Sequence, residues 1–143
     1  MRALVSACLL GMRCRYDGGS KPCPAVLALA DRCVLIPVCP EQLGGLPTPR
    51  MPCERVGDRV LTETGLDRTA EYTLGALQAE KLYDLMGCDC AILKARSPMC
   101  GCGAVYDGSF TRTLVPGNGV LAQRFSERGI PVFTEENLPD QTE

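Results

Sequence analysis

The sequence predicts an α/β fold, a mainly parallel sheet with helices on both faces. Three observations carry this. Short apolar runs at residues 3–7, 34–38, 90–93 and 130–133 alternate with segments of helical pattern, and strands separated by helices build parallel sheets. A length of 143 residues fits one domain, residues 1–143, large enough to bury a real core. Finally, Cys8 and Cys39 come directly after two of these runs, and Cys100 follows a third by a short loop. Ligands of open α/β sheets sit outside the carboxyl ends of the strands.

The elements follow in order. After the strand at 3–7 comes a polar loop with Gly11, Asp17, Gly18 and Gly19. A short helix over 24–30 opens on Pro24, whose fixed φ suits a first helical turn. The strand at 34–38 leads into residues 39–53, which hold four prolines and the turn Leu43-Gly44-Gly45 and are expected to be a loop. Two short runs, 54–56 and 59–62, flank Gly57-Asp58 as a small hairpin. The clearest helix covers 67–86, with apolar residues at Ala70, Leu74, Leu77, Leu82 and Leu85 as its inner face and Gly87 as its stop. The third strand is 90–93. A helix over 120–128 ends at Gly129 and feeds the last strand, 130–133. There is no internal repeat, low-complexity tract or linker.

Composition excludes several classes of function. Hydrophobic residues make up 45% and charged residues 22%, an ordinary globular balance. A net charge of −2 gives no general attraction to nucleic acid or anionic lipid. No apolar run approaches the roughly 18–20 residues of a membrane span. The chain enters its first strand by Ala3 without a signal-peptide pattern, so a cytoplasmic location is expected.

Ten cysteines in such a protein point to metal binding or catalysis rather than cross-links. The absence of histidine rules out serine–histidine triads, cysteine–histidine dyads and mixed Cys/His zinc sites within this chain. All-thiolate metal binding, a metal with cysteine and carboxylate ligands, and thiol redox chemistry remain. Cys33, Cys88 and Cys90 flank or lie in strands and read as small buried apolar groups. Cys100 and Cys102 form a C-x-C pair, and Cys8 and Cys14 share a glycine-bearing loop, but no spacing matches a zinc ribbon or a ferredoxin run. The placement of Cys8, Cys39 and Cys100 at three strand ends is the stronger signal. Its best occupant is an iron–sulfur cluster with one iron left free. Glu41, two residues after Cys39, is placed to act as a general base on a nearby water, and Ser97 lies three before Cys100.

The segments Ser6-Ala7-Cys8-Leu9-Leu10-Gly11, Cys14-Arg15-Tyr16-Asp17-Gly18, Cys39-Pro40-Glu41, Gly45-Leu46-Pro47-Thr48-Pro49-Arg50, Ile92-Leu93-Lys94, Ser97-Pro98-Met99-Cys100-Gly101 and Tyr106-Asp107-Gly108-Ser109-Phe110 together resemble the domain of unknown function 523 family, whose characterised members are thiouracil desulfidases. The motifs stand in family order and span almost the whole chain. The resemblance implies a Rossmann-like three-layer sandwich and a [4Fe–4S] cluster held by three cysteines. It also implies a non-redox hydrolysis of a thiocarbonyl in a small thiolated nucleobase, with sulfide released. Carried over by position, Cys8, Cys39 and Cys100 match the cluster ligands, Glu41 the catalytic carboxylate and Ser97 a catalytic or substrate-contacting hydroxyl. Cys14 stands in a family motif as well. The chain departs from the usual pattern at Met99, Cys53 and Cys102. Lys94, Arg50 and Arg96 are candidates to orient the substrate. Two rival readings are a cluster or metal carrier without chemistry of its own, and a thiol redox protein working through Cys100 and Cys102.

Overall fold

The computed structural model describes residues 1–139; residues 140–143 of the expected 1–143 domain lie outside the described residues. Four strands, β1 (Arg2–Ser6), β2 (Val34–Val38), β5 (Cys90–Leu93) and β8 (Val132–Thr134), form one sheet in the order β2-β1-β5-β8. All its pairings are parallel, with Leu4 opposite Ile36 on one side and Ala91 on the other. Such strands are buried on both faces and therefore read as continuous apolar runs in the sequence.

Side chains alternate across the sheet and build two cores. Leu4, Ile36, Val38, Ala91 and Leu93 point to one face. There α3 (Thr69–Leu85) brings Tyr72, Ala76, Ala79 and Tyr83, and α4 (Val120–Glu127) brings Leu121, Ala122 and Phe125. The Tyr83 and Phe125 rings pack with centroids 5.0 Å apart. Ala3, Val5, Cys90 and Ile92 point to the other face, covered by Val26 of α1 (Pro24–Ala28), by Leu29 and by Leu9. The result is the three-layer arrangement that was expected, with helices on both faces.

Three details differ from expectation. Residues 39–53 are not all loop: α2 (Pro40–Leu43) is a short helix with Pro40 at its start, where proline favours a helix instead of breaking it. A second small hairpin, β6 (Ala104–Tyr106) with β7 (Leu114–Pro116), joins the expected one of β3 (Cys53–Val56) with β4 (Arg59–Thr62). The inner face of α3 is also not the leucine stripe. Leu74, Leu77 and Leu85 are 46%, 43% and 79% exposed, and of the expected set Leu82 packs against the core. The buried face is Tyr72, Gly75, Ala76, Ala79, Glu80 and Tyr83.

Small residues are needed there because α2 crosses α3 at backbone contact. A Cβ on Gly44 would stand 2.0 Å from the Glu71 carbonyl oxygen, and one on Gly75 would stand 2.0 Å from that of Pro40. This crossing brings Glu41 of α2 against Tyr72 of α3.

Candidate active site

At the carboxyl edge of the sheet, Cys8 sits in a short 3-10 turn (Ala7–Leu10) directly after β1. Cys39 is the single residue between β2 and α2. Cys100 ends the loop that leaves β5. All three line one cleft of about 830 Å³, together with Glu41, Ser97 and Lys94. They lie close enough for the charges to interact. Burial pushes the Cys8 thiol up to about 11, the nearby Lys94 ammonium works against this, and Cys39 adds to it. Burial also drives Cys100 far up, with smaller contributions from Cys8 and Cys39.

Cys39 behaves differently. The neighbouring Cys14 thiol, aided by the Gln42 N–H at the start of α2, holds Cys39 below the ordinary thiol range against the effect of burial. Cys39 in turn, with burial, pushes Cys14 upward. Cys39 Sγ also lies 3.7 Å from the Cys14 carbonyl oxygen. Cys14, Cys23 and Cys53 line the cleft too.

The Glu41 carboxylate is fixed through one oxygen. Tyr72 donates its hydroxyl to Oε1 at 2.9 Å, and Arg50 donates Nε to the same Oε1 at 3.1 Å. Oε2 receives neither bond. Arg50 reaches further, donating to the carbonyls of Pro47 and Cys14 and to Thr48 Oγ1. One buried guanidinium thus ties the loop carrying Cys14 to the helix carrying Glu41. Tyr72 stays a phenol: burial, reinforced by the Glu41 charge, raises it far above the ordinary range.

Ser97 takes a structural position as well as a cleft position. Its Oγ accepts the backbone N–H groups of Met99 and Cys100, both at 3.1 Å, and so shapes the turn that presents Cys100. The turn is clamped from behind by α4: Val120 N–H donates to Pro98 O and Leu121 N–H to Met99 O. A Cβ on Gly119 would meet the Met99 carbonyl carbon at 2.5 Å, so only glycine allows this approach. Lys94 pairs with Glu135 at 2.7 Å, and Arg96 with Glu136 at 2.7 Å. These pairings, like that of Arg50, restrain the side chains expected to orient a substrate.

The cleft therefore gathers every residue singled out in the sequence for the site: Cys8, Cys39, Cys100, Glu41 and Ser97. Two partners were not foreseen, Tyr72 and Glu54. Tyr72 lies off the apolar spacing that marked its helix, and Glu54 is one polar residue of a hairpin; neither stands next to a motif residue in the chain.

Soft, histidine-free and built from three thiols at the switch edge of a parallel sheet, this cleft suits a thiolate-bound cluster more than a hard cation. No three His, Cys, Asp or Glu side chains among the described residues close on a single metal-ion position. The fit rests on the donors themselves: three thiols lining one cleft are the ligand type that holds iron–sulfur clusters, so the residues fit the group.

The family follows from comparison. The profile of the 2-thiouracil desulfurase family matches residues 3–137, and the chain belongs to that family. It is 35% identical over 147 residues to the uncharacterized protein YbbK of Bacillus subtilis (strain 168), with 96% of this chain and 97% of YbbK covered. Among solved structures it is similar to the [4Fe–4S]-dependent thiouracil desulfidase TudS, at a TM-score of 0.90 and 45% identity, over 96% of this chain and 93% of that one. No helix among the described residues is long and apolar enough to cross a membrane.

Proposed function

We propose that this chain, acting as one domain, is a [4Fe–4S]-dependent desulfidase. It hydrolyses the thiocarbonyl of 2-thiouracil or a related thiolated nucleobase to the carbonyl and sulfide, with no net redox change. Family membership and the likeness to TudS support the reaction class. The observation that carries it to this chain is one cleft shared by three strand-end thiols and a carboxylate with one oxygen engaged and the other left over.

Cys8, Cys39 and Cys100 would hold the cluster, which, when bound, supplies a thiophilic Lewis acid beside the C–S bond. The remaining work belongs to the chain. Arg50 and Tyr72 occupy Glu41 Oε1, so the proton of the attacking water goes to Oε2. Water adds to the thiocarbonyl carbon. As the C–S bond breaks, the adduct's hydroxyl closes to the carbonyl and its proton passes to the departing sulfur. Sulfur leaves as hydrosulfide, and Glu41 returns its proton to solvent. Ser97 Oγ already accepts two N–H groups, so its own hydrogen is the part left to donate, and it orients a polar atom of the base. Lys94, neutralised by Glu135, places a positive edge near Cys8 without adding net charge. The ligand is a small molecule; a nucleic-acid partner is not expected at the net charge of −2.

Anaerobically reconstituted protein given 2-thiouracil is expected to release uracil and sulfide in equal amounts, with iron content unchanged over many turnovers. Iron-loaded protein that forms neither product would overturn the reading in favour of a carrier.

A further inference from the structure

The connection between β6 and β7 enters the cleft on an unusual anchor. Glu54 of β3 is 8% exposed, a carboxylate taken into the protein without a cationic partner in its hydrogen bonds. Its Oε1 accepts two backbone N–H groups of that connection, Gly108 at 3.0 Å and Phe110 at 3.1 Å. Gly108 is seated tightly on β3, since a Cβ there would meet Val56 Cγ2 at 2.7 Å and Arg55 O at 3.0 Å. Phe110 has φ 59° and Arg112 φ 60°. Left-handed backbone is strained for residues other than glycine and persists where the surroundings over-determine it, often at ligand sites. At Phe110 the over-determining contact is the pair of bonds to Glu54.

The strained residue is an aromatic one with no core to fill. Phe110 is half-buried, belongs to neither apolar cluster and lines the cleft that holds Cys8, Cys39 and Cys100. A flat apolar ring presented to a cleft suits a flat heteroaromatic ligand, because stacking uses the faces of both rings and leaves the ligand's edge atoms free for polar contacts. We propose that Phe110 is the stacking face for the pyrimidine ring, and that Glu54 is the positioning residue that holds it there. This rests on the desulfidase reading for the choice of ligand. It adds a reason why a ring-bearing thiocarbonyl is taken, whereas the thiols and Glu41 alone would act on any thioamide.

The test uses cluster-loaded protein and the variants Phe110→Ala, Phe110→Trp, Glu54→Gln and Glu54→Ala. Uracil binding is measured by calorimetry, and KM and kcat with 2-thiouracil, with iron assayed on the same preparations. Phe110→Ala is expected to weaken uracil binding and raise KM by about tenfold, the lower part of the range for loss of one base stack, with kcat and iron nearly unchanged. Phe110→Trp keeps an aromatic face and is expected to recover most of the loss. Glu54→Gln still offers an amide oxygen to both N–H groups and is expected to bind like the parent, whereas Glu54→Ala follows Phe110→Ala. If the Glu54→Ala chain does not fold, the two Phe110 variants decide alone. Phe110→Ala with the parent's uracil affinity and KM would overturn the proposal, as would equal losses in Phe110→Ala and Phe110→Trp, or a parent that does not bind uracil. Uracil binding that responds as expected in protein with no turnover leaves the stacking role standing and removes the desulfidase reading. Turnover that is indifferent to Phe110 does the reverse.

Discussion

Glu41 shows how a single side chain is prepared by its neighbours. Both of its donors, Tyr72 and Arg50, choose Oε1, so the two carboxylate oxygens are no longer equivalent. Glu41→Gln tests this with little change in shape. The donors would select the amide oxygen at the Oε1 position and leave the NH2 group where the base had been. Turnover is expected to fall by about 10²-fold or more, the usual share of general-base catalysis, with iron content retained. A fully active, fully loaded variant would dismiss Glu41 as the base. By contrast Cys100→Ala would remove a proposed cluster ligand, so its iron is expected to be lost along with its activity. A different residue-scale effect belongs to Cys90, away from the cleft. Burial raises its thiol from 9.0 to about 11. A folded-state pKa above the unfolded one gives stability that is full below pH 9 and fades as pH rises through 11. The loss is of the order of 2–3 kcal/mol. Denaturation midpoints of cluster-free protein between pH 8 and 11 should fall less steeply in Cys90→Ala than in the parent.

At the scale of elements, the contact that matters most is the glycine crossing of α2 and α3. It sets Glu41 against Tyr72, and it depends on the absence of two Cβ atoms. In Gly75→Ala the new methyl would lie 2.0 Å from the Pro40 carbonyl oxygen, so the helices must part. The expected cost is at least about 1–3 kcal/mol, as for overpacked cores. A fall in kcat is expected as well, because the Tyr72–Glu41 bond spans the same crossing. Urea denaturation and turnover on one preparation check both; a variant with unchanged stability would mean that the crossing is looser than drawn. This crossing also marks a limit of what the sequence shows. The strands were legible because each is an apolar run buried on both faces. The face of α3 was not, because leucine spacing favoured Leu74, Leu77 and Leu85, whereas close helix contact demanded Gly75, Ala76 and Ala79. Likewise β6 and β7 are three residues each, too short for a pattern, and β7 is wholly exposed.

For the molecule as a whole, the positions of Cys8, Cys39 and Cys100 were legible because topology needs only strand ends and order. Two parallel neighbours of β1 bring their carboxyl ends to the same edge whatever the intervening chain does. The supports of the site, Tyr72, Glu54 and the clamp of α4 on the Cys100 turn, depend on packing between distant segments and had no local signature. That division predicts how the protein responds to loss of its cluster. Most of both apolar cores, from Leu4, Tyr72 and Phe125 on one face to Val5, Val26 and Ile92 on the other, packs against the faces of the sheet, so removing the cluster should leave the far-ultraviolet circular dichroism near that of the loaded protein. The proposed ligands come from three loops far apart in the chain, and a group that binds the native arrangement and not the unfolded one stabilises the native state. The thermal midpoint is therefore expected to drop on chelation and to return on reconstitution. Cys39→Ala should show the lower midpoint from the start and no response to reconstitution. Collapse of the secondary structure on chelation would instead mean that the cluster is part of the core, and that the sheet cannot stand on its apolar packing alone.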